Sequence, residues 1–104
     1  MASSKEYLRS VLDRLSSAGD VSYRAMMGEF VVYFRGKVVG GIYDDRFLVK
    51  LTDSSRRLMP SAPLELPYEG AKEMLRVDDE ISGVFLKELL NATFDELTTP
   101  KKRQ

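Results

Sequence analysis

The sequence predicts a single α+β domain, in which an antiparallel β-meander sheet is flanked by N- and C-terminal helices. The main evidence is segment 23–51, which holds three short runs with a period of two, rich in β-branched and aromatic residues. That pattern is typical of strands. Before and after this segment, apolar residues recur at helical spacing, which predicts a helix near each end. A chain of 104 residues corresponds to one domain.

The three strand runs are Phe30–Phe34, Val38–Ile42 and Phe47–Leu51. Arg35-Gly36 and Asp44-Asp45 separate them, and Gly and Asp are residues that tolerate the positive φ of tight hairpin turns. A short strand over residues 21–27 is predicted before them, with Gly28 at a bulge or a tight turn. These segments together predict the meander.

The first helix is predicted over about residues 4–17. Ser3 and Glu6 have the spacing of a capping box, in which each side chain satisfies a free amide at the helix start. Gly19 is a suitable stop, because glycine adopts the left-handed conformation without strain. The last helix is predicted from Asp78 to Leu97, with acidic residues at its start, where negative charge suits the helix dipole.

Between the meander and the last helix, the sequence predicts a short helix over residues 54–59 that Pro60 ends. Residues 61–67 are predicted to be irregular, and residues 71–77 to form a further strand. After the last helix, residues 98–104 are predicted to be a flexible basic tail.

The meander strands carry apolar residues on both predicted faces of the sheet: Phe30, Val32 and Ile42 on one, and Val31, Tyr33, Val39 and Tyr43 on the other. An antiparallel sheet with one solvated face shows polar residues there. Two arrangements remain open. Either one helix covers each face, or both helices pack on one face and the other face is a self-association surface that forms a homodimer.

Composition excludes several classes of protein. Sixteen basic and sixteen acidic residues give a formal net charge of zero, whereas dedicated nucleic-acid binders usually carry a basic excess. The chain has no cysteine and no histidine, which removes thiolate nucleophiles, the Ser-His-Asp triad and most zinc sites. No apolar run approaches the ~20 residues of a transmembrane helix, and the first residues lack the apolar core of a signal peptide. We therefore expect a cytoplasmic protein with no membrane contact.

The carboxylate clusters Asp44-Asp45 and Asp78–Glu80 are the remaining candidates for a metal site. Neither has the alternating spacing of a calcium loop, and a hairpin turn and a helix start account for them. The glycines do not form a phosphate-binding motif. The sequence therefore predicts no metal, no cofactor, no catalytic residues and no enzyme activity.

Five ordered stretches carry a family resemblance: Tyr23–Glu29 (YRAMMGE), Tyr33–Lys37 (YFRGK), Gly41–Lys50 (GIYDDRFLVK), and later Pro67–Glu69 and Met74–Val77. Together they resemble the N-terminal domain of the TfoX/Sxy family, bacterial regulators associated with competence for DNA uptake. The resemblance runs from the first helix to about Leu97, and its specificity lies in the ordered set of stretches.

This resemblance implies an α+β domain with an antiparallel sheet flanked by helices. It implies a regulatory role exercised together with a transcription activator or polymerase component, and it implies no catalytic residues. TfoX-type regulators carry a second, C-terminal helical domain, which this sequence lacks, so we expect a stand-alone N-terminal domain. Contacts attributed to that second domain are not carried over, because fold transfers more safely than function.

The predicted interaction surface draws on these stretches and on the basic residues that follow them: Arg24, Met27, Glu29, Tyr33, Tyr43, Asp45, Arg46, Lys50, Arg56 and Arg57. Two alternative functions remain. The first is direct nucleic-acid binding by basic and aromatic residues together with the tail Lys101–Arg103. The second is small-ligand binding in a pocket between the sheet and the last helix, near Tyr43, Tyr68 and Phe85.

Overall fold

The computed structural model describes residues 3–98, in which three helices accompany one six-stranded antiparallel sheet. The helices are α1 (Lys5–Leu15), α2 (Asp53–Leu58) and α3 (Gly83–Thr98), and a 3-10 turn, Ser16–Ala18, extends α1. The strands are β1 (Val21–Met26), β2 (Glu29–Phe34), β3 (Lys37–Ile42), β4 (Phe47–Lys50), β5 (Leu64–Glu65) and β6 (Met74–Arg76). Their order across the sheet is β1-β2-β3-β4-β6-β5. The predicted α+β fold is confirmed. Apart from Thr98, the predicted tail lies outside the described residues.

Tight two-residue turns connect the first four strands: Met27-Gly28, Arg35-Gly36 and Asp44-Asp45. Every one of these residues has a positive φ, between 52° and 86°. Two consecutive positive φ values define the type I′ turn, whose twist matches that of the strands it joins. The turns predicted at Arg35-Gly36 and Asp44-Asp45 are confirmed, and Gly28 belongs to a tight turn rather than a bulge.

Both long helices pack on the same face of the sheet, which we call the helix-covered face. One core there joins Leu8, Val11 and Leu15 of α1, Leu86, Leu89 and Leu90 of α3, and Phe30, Val32, Phe34, Ile42, Phe47 and Val49 of the strands. Burial of these side chains is the main favourable term in folding. Of the two arrangements that the sequence left open, the structure has both helices on one face.

A β-bulge in the middle of the sheet changes the face of one residue. Val32 lies opposite Gly40, but its neighbour Tyr33 lies opposite Val38, so Val39 is an extra residue in β3. Val39 is fully buried in the helix-covered core. The sequence placed Val39 on the opposite face, with Val31 and Tyr33, and that placement is wrong because a bulge interrupts the alternation.

The start of α1 differs from the predicted capping box. Ser4, not Ser3, is the N-cap, and its Oγ accepts a hydrogen bond from the Tyr7 backbone N–H at 3.1 Å. The Ser3 hydroxyl instead donates to Glu29 Oε1 at 2.6 Å, across a sequence separation that local spacing cannot reveal. The predicted stop at Gly19 is confirmed, since this residue has φ 99° directly after the 3-10 turn.

The second half of the chain contains three further differences. α3 begins at Gly83 rather than Asp78, because the Asp78 carboxylate accepts from the Glu80 N–H in a turn and Ser82 Oγ accepts from the Phe85 N–H. The strand predicted over 71–77 is limited to β6, and the segment predicted to be irregular contains β5. α2 lies within one residue of its predicted bounds, capped by Thr52.

Two side chains of α1 fasten it to the turn before α3. Arg14 Nη2 donates to the carbonyl oxygens of Asp78, at 2.8 Å, and Ile81, at 3.0 Å. The Tyr7 hydroxyl donates to Asp79 Oδ1 at 2.7 Å. Burial, together with this bond to a carboxylate, raises the pKa of Tyr7 from 10.0 to about 12, since both favour the neutral phenol.

We expect Tyr7 to ionise well above pH 10 and to make the fold sensitive to alkali. Because its pKa is higher in the folded than in the unfolded chain, its stabilising contribution is complete below pH 10 and is lost as the pH rises toward 12. Phenolate absorbance during an alkaline titration measures this. Tyr7→Phe should remove the transition near pH 12; the assignment fails if this variant retains it.

Gly40 is predicted to tolerate no side chain. A Cβ there would overlap the carbonyl oxygen of Leu48 and lie 3.0 Å from the Cα of Val49, both backbone atoms of the neighbouring strand. Gly40→Ala should therefore lower the free energy of unfolding by about 3 kcal/mol or more. Urea unfolding followed by circular dichroism gives this value, and a loss below about 1 kcal/mol would contradict the close strand approach.

Candidate functional site

We call the sheet face opposite the helices the open face. It carries side chains from the stretches that resemble the TfoX/Sxy family. The strand register places these side chains on it: Arg24 and Met26 of β1, Val31 and Tyr33 of β2, Val38 and Gly41 of β3, Leu48 and Lys50 of β4, and Met74 and Arg76 of β6. No residue of the helix-covered core cluster is among them. The open face is therefore chemically mixed, with an apolar centre and cationic side chains around it.

Segment 66–73, between β5 and β6, crosses part of the open face. Pro67 of this segment is buried, whereas Tyr68 remains 61% exposed. The Tyr68 ring lies 6.1 Å from the Tyr43 ring, centroid to centroid, at an angle of 59°. Between segment and sheet is a cavity of about 610 Å³, whose lining includes Val31, Val38, Tyr43, Lys50, Tyr68 and Met74. We call it the tyrosine cavity.

The position of the Tyr43 ring depends on the absence of a side chain at Gly41. A Cβ at Gly41 would lie 2.5 Å from Cε2 of the Tyr43 ring, so the ring folds back over a residue that has no side chain. Only 8% of Tyr43 is exposed. Burial raises the pKa of the Tyr43 hydroxyl, and the neighbouring Tyr68 and Glu29 add to this effect. Tyr43 is therefore a neutral hydrogen-bonding group at the wall of an apolar cavity.

A cluster of three charges holds β5 against the β3–β4 hairpin. Arg46 Nη1 donates to Glu65 Oε1 at 2.7 Å, and its Nη2 donates to the Leu66 carbonyl at 3.2 Å. Arg76 Nη1 donates to the second oxygen of the same carboxylate at 3.3 Å. The hydrogen bond from Arg46, and then that from Arg76, lowers the pKa of Glu65. This cluster fixes the start of segment 66–73. Arg46 therefore stabilises the fold by holding β5 and Leu66 in place.

A second network ties the N-terminus to two hairpin turns. Glu29 Oε1 accepts from the Ser3 hydroxyl at 2.6 Å and from the Asp44 N–H at 3.1 Å. The Asp45 N–H donates to Ser3 Oγ at 3.0 Å, and Asp45 Oδ1 accepts from the Ser4 N–H at 2.9 Å. Glu29 and Asp45 are thus occupied by bonds within the fold. Within residues 3–98, no group of His, Cys, Asp or Glu side chains is arranged to hold a metal ion.

The structure brings together only some of the predicted site residues. Arg24, Tyr33, Tyr43 and Lys50 share the open face, and Met27 stands at the tip of the β1–β2 hairpin, 98% exposed. Glu29, Asp45 and Arg46 are held in the two networks described above.

The two arginines of α2 lie elsewhere. Arg56 Nη1 donates to the carbonyl oxygens of Met59 and Ala62 after its own helix, and Arg57 is exposed on α2, the helix that packs against α3. The ten predicted residues therefore do not form one surface. Their functional role stays a prediction.

Sequence reasoning missed the contribution of Val38, Glu65, Met74 and Arg76 to this site. Their convergence depends on β6 pairing with β4 and β5, which no local pattern shows. The predicted pocket is found in part, since Leu97 of the last helix also lines the tyrosine cavity. Tyr43 and Tyr68 do line a cavity, but it lies on the open face, whereas Phe85 packs against the helix-covered core.

The fold and this face define a small α+β domain built on an antiparallel meander with both long helices on one side. A sequence model of the family described as the TfoX N-terminal domain matches residues 13–90. The chain belongs to the TfoX N-terminal domain family. This is not a known enzyme family.

One relative is a protein of Spirochaeta aurantia described as an uncharacterized 12.7 kDa protein in the trpE 5′ region. It is 33% identical over 105 residues, which span 100% of this chain and 91% of the relative. No helix within residues 3–98 is long and apolar enough to span a bilayer.

Gly41→Ala is expected to disturb the tyrosine cavity without unfolding the protein. The added methyl group meets the far end of the Tyr43 side chain, which can move, so the loss of stability should be about 1 kcal/mol. The displaced ring should leave Tyr68 and become more exposed, and the pKa of Tyr43 should fall toward its ordinary value. Ring resonances of the two tyrosines report this by NMR. Unchanged resonances would contradict the Tyr43–Gly41 contact. Gly40→Ala is the matched variant, which should lower the free energy of unfolding without displacing the Tyr43 ring.

Proposed function

We propose that this chain is a non-catalytic cytoplasmic regulatory domain, which binds a protein partner through the open face and acts in the transcriptional control of competence for DNA uptake. The observation that carries the proposal is the convergence of the motif residues around the tyrosine cavity. Membership of the TfoX N-terminal domain family supports the regulatory role.

The chemistry of the open face supports a protein as the partner. A half-exposed tyrosine, a buried tyrosine and a methionine border the cavity, and Tyr, Met and Arg are enriched at protein interfaces. Lys50 lines the cavity, and Arg24 stands on the outer strand of the same face. Such a surface has apolar anchors at its centre and charge at its rim.

The arrangement of the cations favours a protein partner over direct nucleic-acid binding. Arg46 pairs with Glu65 at 2.7 Å, Arg56 binds two carbonyls, and Arg35 stacks on the Phe34 and Phe94 rings at 5.4 and 5.3 Å. These three arginines are thus engaged within the fold. A phosphate-binding surface needs clustered free cations.

The tyrosine cavity makes small-ligand binding the second candidate. Its volume of about 610 Å³ lies within the usual range of ligand sites, about 300–1,000 Å³, and apolar walls with a few polar groups are typical of them. Homodimerisation through the open face remains a prediction. Segment 66–73 already covers part of the apolar surface that a second copy would bury.

Affinity purification of the tagged protein from its own cells, followed by mass spectrometry, tests the proposal. We expect a transcription activator or an RNA polymerase component to co-elute with the wild type and with Lys87→Glu, an exposed change on α3. The double variant Lys50→Glu/Tyr68→Ser changes the rim of the tyrosine cavity and should lose that partner at least tenfold.

Three other outcomes would overturn the proposal. If the double variant still recovers the partner, the partner binds outside the tyrosine cavity. Recovery of nucleic acid, with an affinity that falls steeply with salt, would favour direct binding. Recovery of no transcription component would remove the regulatory role, and a thermal shift on incubation with a metabolite collection would then indicate the small-ligand function.

A further inference from the structure

We propose that the free edge of β1 is a separate docking site, which binds an extended acidic segment of a protein by adding it to the sheet as a further strand. β1 is the outermost strand, beside β2 only, whereas the tyrosine cavity lies over β2, β3, β4 and β6. The inference rests on this edge and is independent of the partner proposed above.

The backbone of β1 has N–H and C=O groups that can form hydrogen bonds with a further strand. In the β1–β2 ladder the Arg35 N–H donates to the Asp20 carbonyl oxygen at 2.9 Å, and the register continues through Ser22↔Tyr33 and Arg24↔Val31 without a shift. Hydrogen-bonded residues alternate in an antiparallel pair. Tyr23 and Ala25 therefore direct their N–H and C=O groups away from β2, toward the open edge.

Proteins usually protect such an edge with proline, a bulge or a very short strand. β1 is six residues long, contains no proline and pairs with β2 over its full length. Five of its six residues are exposed. The edge is consequently available to an extended chain, the mode of recognition known as β-strand addition.

Two shallow cavities lie beside this edge under α1, one on each side of Tyr23. The first, of about 410 Å³, is lined by Leu12, Leu15, Val21 and Tyr23 among others. The second, of about 450 Å³, is lined by Lys5, Leu8, Arg9, Leu12, Tyr23, Ala25 and Phe30. Side chains on one face of a strand recur every ~7 Å, so alternate apolar residues of an added strand enter these two cavities.

The charge at the edge specifies an acidic segment. The charged residues that line the two cavities are Lys5 and Arg9, both cationic. Arg24 stands on the opposite face of β1, where the intervening side chains of the added strand would lie, and is exposed. Carboxylates at those positions complement Arg24, and a cationic segment meets like charges.

A second copy of this chain fits the edge less well. A symmetric β1–β1 pairing can place Tyr23 of one copy opposite Ala25 of the other, or Tyr23 opposite itself. The first register puts Arg24 directly opposite itself and the second puts the two Arg24 residues on a diagonal of the same face, and like charges in such positions repel each other. The edge chemistry thus favours a different, acidic chain.

The test uses the full chain and three synthetic peptides of about six residues, the length of β1. The first alternates valine with glutamate, the second alternates valine with lysine, and the third carries a central proline in the valine–glutamate sequence. Binding is followed by amide chemical shifts, and hydrogen exchange is measured at the Tyr23 and Ala25 amides. We expect the valine–glutamate peptide to bind, to shift β1 resonances and to slow exchange at both amides at least tenfold.

Two variants separate the backbone and charge contributions. Ala25→Pro removes an outward N–H and no ladder bond, as proline on an edge strand can, and should weaken binding about tenfold. Arg24→Glu, on the face of β1 where the glutamates would lie, should weaken binding of the valine–glutamate peptide and allow the valine–lysine peptide to bind. Lys87→Glu, on the exposed side of α3, is the matched charge control and should change neither. If Ala25→Pro fails to fold, Arg24→Glu and the proline peptide carry the test.

The proposal is overturned if none of the peptides shifts β1 resonances at millimolar concentration, or if the proline peptide binds as well as its parent. It is also overturned if the two amides become protected with rising protein concentration alone, which would identify a second copy as the occupant. Because the readout uses peptides and β1 amides, it is independent of whether a transcription component is recovered through the tyrosine cavity.

Discussion

The structure depends on three consecutive tight hairpins that fix the register of the first four strands. Each turn holds two residues at positive φ, including Met27 at 52° and Arg35 at 53°, a conformation that costs non-glycine residues about 1–2 kcal/mol. The continuous ladders on both sides offset this strain. A one-residue change in register would exchange the two faces, so the same turns that align the strands also decide which side chains meet the helices.

The glycine pair in β3 then gives the two faces different characters. Gly40 allows the backbone of β4 to approach, next to the bulge that turns Val39 into the helix-covered core. Gly41 faces the other side and accommodates the ring of Tyr43. Two adjacent residues without side chains therefore serve opposite purposes, one in packing of the core and the other in the tyrosine cavity.

Local patterns predicted what depends on local chemistry. The turns at Arg35-Gly36 and Asp44-Asp45, the end of the first helix at Gly19 and the bounds of α2 follow from residue preferences. The errors arise where a residue bonds to a group distant in the sequence. The Ser3 hydroxyl donates to Glu29, and the Asp79 carboxylate accepts from the Tyr7 hydroxyl. The open face follows the same rule, since its motif residues were visible in the sequence but their meeting place depends on the β4–β6 pairing.

Met27 shows how a departure from local preference bears on function. A type I′ turn favours Asn or Asp before glycine, and the methionine side chain, 98% exposed, gains almost nothing from burial. Neither the turn nor the core therefore explains this residue. Met26, half-exposed on the open face, adjoins it, and methionine adapts readily to the surface of a partner. Since violations of local rules concentrate at functional sites, the hairpin tip supports the inclusion of Met27 in the proposed interaction surface, between the open face and the free edge of β1.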